Sequence, residues 1–355
     1  MSSRSRSLAD AQRDPGPGAA GAPSAASVAP LVRAASGATR VSATTRPTAA
    51  ARGWEASLEI AFLRMGDTTI LVRNAQRGPL AVQRPFSPEG REVSHVTLLH
   101  PPGGLVGGDR VRIGVEVGAG AHAVLTTPAA AKHYRSGGAR ALQAQRFTVA
   151  AGGVLEWLPH ETILYSGAIS ELRTRIDLAP GARFVGIDLV CFGLPARDEP
   201  FQRGRCRQRL ELWRGDRPLL LERGDLDGGA AVHAARWGLG GATVMGTLLA
   251  APGLSADHEA IAAVRALAAA LPPGDLGSIS RLDADPSCGS GPKGDGEGEA
   301  AGRDREGEGD DLSALCCRYL GPSAERGQTF LRQAWAILRP ALLGRAAHTP
   351  RIWAT

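Results

Sequence analysis

Aromatic residues make up only 5% of this 355-residue chain, and it holds five cysteines, three methionines, two lysines (Lys132 and Lys293) and a single asparagine, Asn74. So few large rings, set against 46 glycines and 24 prolines, exclude a helical bundle and favour many short elements joined by turns. No apolar run approaches the ~18–20 residues that a membrane-spanning helix needs. The cysteines (Cys191, Cys206, Cys288, Cys316, Cys317) contain no C-x-x-C pair. A sparse, odd set in a chain of this length is no disulfide framework and fits a reducing compartment such as the cytoplasm. Vicinal Cys316-Cys317 reads as two buried helix residues rather than a soft-metal site. The phosphate loop G-x-x-x-x-G-K-[ST], the zinc motif H-E-x-x-H and the nucleophile elbow G-x-S-x-G are all missing, so the standard NTPases and hydrolases lose their support.

What is present is basic. Thirty-nine of the 41 Lys and Arg residues are arginine, and the formal net charge is +6. Residues 1–52 carry seven arginines against two aspartates, a net of +5, in a Ser/Ala/Pro/Gly background. Such a segment buries too little surface to offset its ordering entropy and reads as a disordered extension or an early start. As an organellar leader it would need an amphipathic stripe, which it lacks. Residues 285–311 alternate glycine with acids, nine acids against three bases for a net of −6, and read as a flexible insertion. Subtracting both segments leaves +7 on the single domain expected over 53–355, so its basicity is not a property of the tail.

The body alternates at period two over Val111–Val117, Leu172–Leu178 and Cys206–Leu212, the signature of half-buried strands. Glycines 120, 152 and 181 each follow such a strand and precede an apolar run, 32 and then 29 residues apart. A spacing near 30 predicts stacked β units, a mainly β, β-helix-like fold. Two helices are expected in the C-terminal half. One runs from Ser255 to Leu271, capped by Ser255 or Asp257. The other runs from Thr329 to about Arg339 and is closed by Pro340.

The densest special sequence is His100-Pro-Pro-Gly-Gly-Leu-Val-Gly-Gly-Asp109. A strand rather than a helix follows it, so a phosphate cradle is poorly supported. A tight turn in which Asp109 bonds its own loop is the simpler reading. Lys132-His-Tyr-Arg135 could meet an acidic partner. Glu156 and Glu161, five residues apart across Pro159, could do acid–base work but need not share a site. Asp188 stands out because Phe184–Cys191 is otherwise apolar, and an acid in such a run is usually paired or functional.

Five segments in order, RGPLAVQRPFSPEG (77–90), HVTLLHPPGGLVGGD (95–109), LTTPAAAKHYRS (125–136), LEWLPHETILYSGA (155–168) and PRIW (350–353), resemble the urease accessory protein UreD family, called UreH in some organisms. The resemblance runs from Trp54 to Trp353 and implies a mainly β stack with two helices. It implies no catalytic activity, no tightly bound cofactor and a transient nickel cargo. The implied partners are urease apoprotein, UreF, the GTPase UreG through UreF, and UreE as nickel donor; neither nucleic acid nor a membrane is expected. Nickel must enter such a scaffold and also leave it, so carboxylates with an occasional imidazole suit the task better than a thiolate or multi-imidazole cage. The candidates are Asp109, Glu161, Asp188 and Glu222, which match positions commonly acidic in the family, with His100 at the Gly-rich turn. Arg84, Pro85, Gly103, Gly104, Lys132, Tyr134 and Arg135 fall in the shared motifs as partner-binding or structural residues. The chain departs from the family where Gly186-Ile187 replaces a usual Trp before Asp188, where Leu194-Pro195 replaces Arg-Pro, and where His160 replaces a common Gln before Glu161. The alternative is a β-solenoid module that binds acidic proteins or nucleic acid without a metal role. An enzyme stands third, since no nucleophile–base pair is visible.

Overall fold

The computed structural model describes residues 53–284 and 312–354; the extension expected over 1–52, the insertion expected over 285–311 and Cys288 lie outside the described residues. From the N-terminal side come β1 (Glu55–Met65), β2 (Thr68–Arg77), β3 (Ala81–Val82), β4 (Val93–Leu99), β5 (Arg110–Val117), β6 (His122–Thr126) and β7 (Ala131–His133). The next units are β8 (Ala141–Val149), β9 (Val154–Leu158) and β10 (Thr162–Leu164), then β11 (Ile169–Leu178) and the long β12 (Arg183–Leu194). After these come β13 (Glu199–Pro200), β14 (Arg205–Arg214), β15 (Arg217–Asp227), β16 (Val244–Ala251), α1 (Glu259–Ala269), β17 (Leu276–Asp283), β18 (Ser313–Gly321) and α2 (Ala324–Leu343).

The strands stack as a β-solenoid of about four turns, with both helices in the C-terminal half as expected. Each turn places one strand in each of two sheets. The outer sheet has the order β15-β14-β11-β8-β5-β1-β2, parallel from β1 to β14. The central sheet runs β17-β18-β16-β12-β9-β6-β4-β3, parallel from β4 to β12. A short third row pairs β7, β10 and the end of β12.

The glycine repeat makes this register possible. Gly120, Gly152 and Gly181 have φ of +66°, +67° and +69°, and each sits in a turn closed by a bond such as Ala182 N–H to Ala179 O at 3.0 Å. Ala179-Pro180-Gly181-Ala182 carries proline and then left-handed glycine in the two central positions, a type II pattern. A Cβ on Gly152 would lie 3.8 Å from Gly120 N, and one on Gly181 3.8 Å from Gly152 N, so the turns sit one above another.

Burial follows from the layers. The outer sheet faces solvent on one side, so β5 alternates exposed and buried positions. The central sheet is covered on both sides, and β6 is buried throughout; an apolar run without alternation is what such a strand needs. Inside the solenoid, Leu58, Phe62, Phe147, Leu155, Phe184 and Leu212 form one core. On the other face of the central sheet, Val185, Leu189, Leu248 and Tyr319 pack with Phe330, Trp335 and Leu338 of α2 to form a second.

Three expectations require correction. Cys316 and Cys317 lie in strand β18, not in a helix. The cap of α1 is His258, whose Nδ1 accepts from the Ala260 N–H at 3.1 Å, so Ser255 and Asp257 precede the helix. Ser323 caps α2, and that helix runs through Pro340 to Leu343. Pro340 is exposed while Leu342 and Leu343 beyond it are buried, so apolar burial outweighs the one hydrogen bond the proline removes.

Candidate functional site

Two motifs far apart in sequence interlock beside the solenoid. The Leu105 N–H donates to Lys132 O at 2.7 Å and the Tyr134 N–H to Leu105 O at 2.8 Å, zipping the Gly-rich loop onto β7. Gly104 is required there, since a Cβ would fall 2.4 Å from the Tyr134 ring and 2.7 Å from Lys132 O. Gly103 supplies a left-handed turn at φ +73°. Tyr134 tilts against Tyr165 at 5.0 Å, and Arg135 lies along Gly167. Asp109 is buried and accepts from the Trp54 N–H at 3.1 Å and the Val106 N–H at 2.8 Å. Its carboxylate therefore holds this loop, which is the turn reading of the sequence. Arg84 and Pro85 lie exposed on a separate loop after β3.

Behind the interlocked motifs, a cavity of about 150 Å³ opens into the solenoid, lined by His100, Lys132, Gln143, His160, Asp188 and Gln208 among others. Asp188 occupies an inward position on β12, between Phe184 and Val190, which also face inward. Its Oδ2 accepts from Gln208 Nε2 at 2.8 Å. Burial raises its pKa and the nearby Glu222 carboxylate raises it further, with the Gln208 bond and Arg318 opposing. Glu222 is held by Arg318, through Nη1 at 3.1 Å and a second contact from Nη2. Arg318 Nη1 also donates to Thr247 Oγ1 at 2.6 Å, and Thr247 is the register partner of Asp188. His100 and Asp188 thus share the wall of one cavity, whereas half-buried Glu222 is not among its lining residues. Asp109 adjoins His100, whose pKa is lowered by burial and pulled back up by the Asp109 charge.

Glu161 lies elsewhere. Its Oε2 accepts from Gln328 Nε2 of α2 at 2.8 Å, which places it on the helix side. Burial raises its pKa, but His160 and Arg332 outweigh that and the net shift is downward. Glu156 shares no partner with Glu161. It is fully buried and accepts from His122 Nε2 at 2.8 Å, Trp335 Nε1 at 2.7 Å and Arg339 Nε and Nη2 at 3.0 and 2.9 Å. Arg339 also binds Glu89, which bonds His95 at 2.7 Å. Sequence reasoning missed this cluster, because Glu89 and Arg339 lie 250 positions apart. Among the described residues, no group of three or more His, Cys, Asp or Glu could hold a metal ion together.

Ion pairs neutralise part of the basic surface. Across the outer sheet, Arg112, Arg173, Arg209 and Arg223 share one row. Flanking rows supply acids, as in Arg175 with Asp177 and Glu211 or Arg205 and Arg207 with Asp225. Arginines so paired offer little to a phosphate backbone.

Against known proteins, the family model "UreD urease accessory protein" matches residues 54–354, nearly the whole described region. The chain belongs to the UreD family. It is 41% identical over 302 residues to urease accessory protein UreD of Dechloromonas aromatica (strain RCB), covering 85% of this chain and 95% of that protein. To the UreD of Azoarcus sp. (strain BH72) it is 42% identical over 307 residues, 86% and 96% of the two chains. The UreD of Alkalilimnicola ehrlichii is 40% identical over 349 residues, 98% and 100%. Among UreD motifs, the Gly-rich loop and the Lys132–Arg135 segment thus have a structural reason to occur together: each supplies the other's backbone partners. No helix among the described residues is long and apolar enough to cross a membrane.

Proposed function

We propose that this chain is a non-catalytic cytoplasmic scaffold of urease maturation that passes nickel to the apoenzyme. It acts with urease apoprotein, with UreF and, through UreF, with the GTPase UreG, and UreE is the nickel donor. The observation that carries the reading is the cavity: a UreD-family chain holds His100 and Asp188 on the wall of one interior space. Ni²⁺ stands high in the affinity series for nitrogen and sulfur ligands, so a thiolate cage would retain it. The four described cysteines are buried and protonated, with Cys191, Cys206 and Cys317 pushed up to about 12 by burial. A cargo ion inside the solenoid would meet carboxylate, amide and imidazole groups, and partial ligation of that kind lets an ion leave.

Co-expression with urease subunits and the other accessory proteins is the test. Omitting this chain should abolish urease activity, and unchanged activity without it would end the reading. Asp188→Ala should lower the nickel content of urease by about tenfold or more while pull-downs still recover the complex. Loss of the complex instead would make Asp188 a structural residue.

A further inference from the structure

The arginine row of the outer sheet runs across its full width. Arg223, Arg209 and Arg173 stand directly opposite one another on β15, β14 and β11. Beyond Ala144 of β8 and Ser57 of β1, Arg112 of β5 and Arg77 of β2 complete the row. All five arginines are exposed. Like charges directly opposite destabilise a sheet, so the row requires counter-charge, and the described residues supply little of it. Arg173 shares its acid, Glu171, with Arg140. Arg209 lies 3.8 Å from Glu211. Arg77, Arg112 and Arg223 make no hydrogen bond or ion pair with the described residues.

The missing charge is present elsewhere in the sequence. Residues 285–311 hold nine acids against Lys293, Arg303 and Arg305. Their two ends are fixed beside the row. The Ala284 N–H donates to Leu312 O at 2.9 Å, and Leu282, Ala284 and Leu312 pack on the solenoid core, as does Leu220 of β15. Strand β17 lies against β15, the edge strand at which the row begins. From β15 to β2 the row spans about 29 Å at ~4.8 Å per strand. A segment of 27 residues with joined ends reaches out about 43 Å at ~3.3 Å per residue. Asp295-Gly-Glu-Gly-Glu299 sets an acid at every second position, and an extended chain presents such residues on one side.

We propose that residues 285–311 dock along the arginine row of their own chain, carboxylates against guanidiniums. Each exposed pair is weak, but tethering sets the effective concentration of the segment at about millimolar, so the row is occupied without any one strong contact. A mixed-charge polypeptide fits better than a nucleic acid. Glu211 and Asp225 flank the row and would repel a uniformly charged phosphate backbone, whereas the three bases of the segment complement them. The inference does not rest on the nickel reading. It gives the chain its own competitor for any acidic partner of the outer sheet.

The test compares the full-length chain with a full-length variant whose nine acids in 285–311 are changed to their amides. The probe is a synthetic peptide of residues 285–311, titrated at low salt by fluorescence anisotropy. The amide variant should bind it at least about tenfold more tightly than the wild type, whose row is already filled. Added salt should weaken that binding. Arg209→Gln with Arg223→Gln in the amide variant should weaken it by about tenfold, and Arg112→Gln should weaken it less; circular dichroism controls for folding. In an otherwise unaltered Arg209→Lys chain, carbodiimide should join position 209 to a carboxylate of 285–311, read by mass spectrometry. Equal peptide binding by wild type and amide variant would overturn the proposal. So would binding indifferent to the row substitutions, or coupling of position 209 to Glu211 alone. Duplex DNA that displaces the peptide from the amide variant would make the row a nucleic-acid surface and overturn it as well.

Discussion

Glu156 and Asp188 stand on adjacent strands, β9 and β12, of one sheet, yet they face opposite layers and meet opposite treatment. Glu156 points to α2 and accepts from an imidazole, an indole and a guanidinium, so its pKa falls although burial alone would raise it. Asp188 points into the solenoid, accepts one amide bond, and its pKa rises. A carboxylate saturated with donors fastens elements together, and here it fastens the C-terminal helix to the solenoid. A carboxylate left with spare acceptor capacity beside a cavity can take a ligand. The same contrast separates His95 and His122, whose Nε2 atoms are bonded, from His100, His133 and His160, each with one nitrogen spare.

The largest expected effect comes from breaking the saturated side. Glu156→Ala leaves Arg339 buried with half its partners and should destabilise the chain by about 3–5 kcal/mol in denaturant unfolding. A loss below about 1 kcal/mol would mean that the cluster is no fastening. Asp188→Ala should instead change stability by less than about 1 kcal/mol while nickel transfer falls, so the two variants exchange their effects on stability and function.

Acidity separates the regions by sign. Glu89, held by His95 and Arg339 against its burial, drops from 4.5 to about 2. Its contribution is complete above pH 4.5 and is lost as pH falls toward 2. For Asp188 the folded pKa exceeds the ordinary 3.8, so stability declines as pH rises from 3.8 through the folded value. Stability curves of Glu89→Gln and Asp188→Asn should each lose one of these slopes, and a shared direction would refute the contrast. The smallest effect belongs to the outer sheet. Arg207→Ala, which removes an exposed ion pair with Asp225, should shift stability by at most about 1 kcal/mol in the same unfolding assay.

The solenoid was legible where one face of a strand meets water. Val111–Val117 alternates because its sheet is covered on one side only, and the turn glycines repeat because every turn needs the same left-handed residue. Strand β18, with Cys316 and Cys317, read as helix because burial on both faces erases alternation. The end of α2 was hidden by Pro340, since proline predicts a stop and only packing of Leu342 and Leu343 overrides it. In the site, Asp188 was visible as an acid in an apolar run. His133 carried no such signal, because its neighbours Lys132, Tyr134 and Arg135 made a polar segment look exposed.

By itself the sequence determined the repeating unit, the two-helix complement and the family, because turn chemistry, strand period and contiguous motifs are local. Only the tertiary structure decided which acids share a space. It divided Glu161 from Asp188 across one sheet and joined Glu89 to Arg339 over 250 positions. The reason is physical: a side chain's environment depends on the layer it faces and on partners from other turns of the solenoid, and neither is written in its neighbours along the chain.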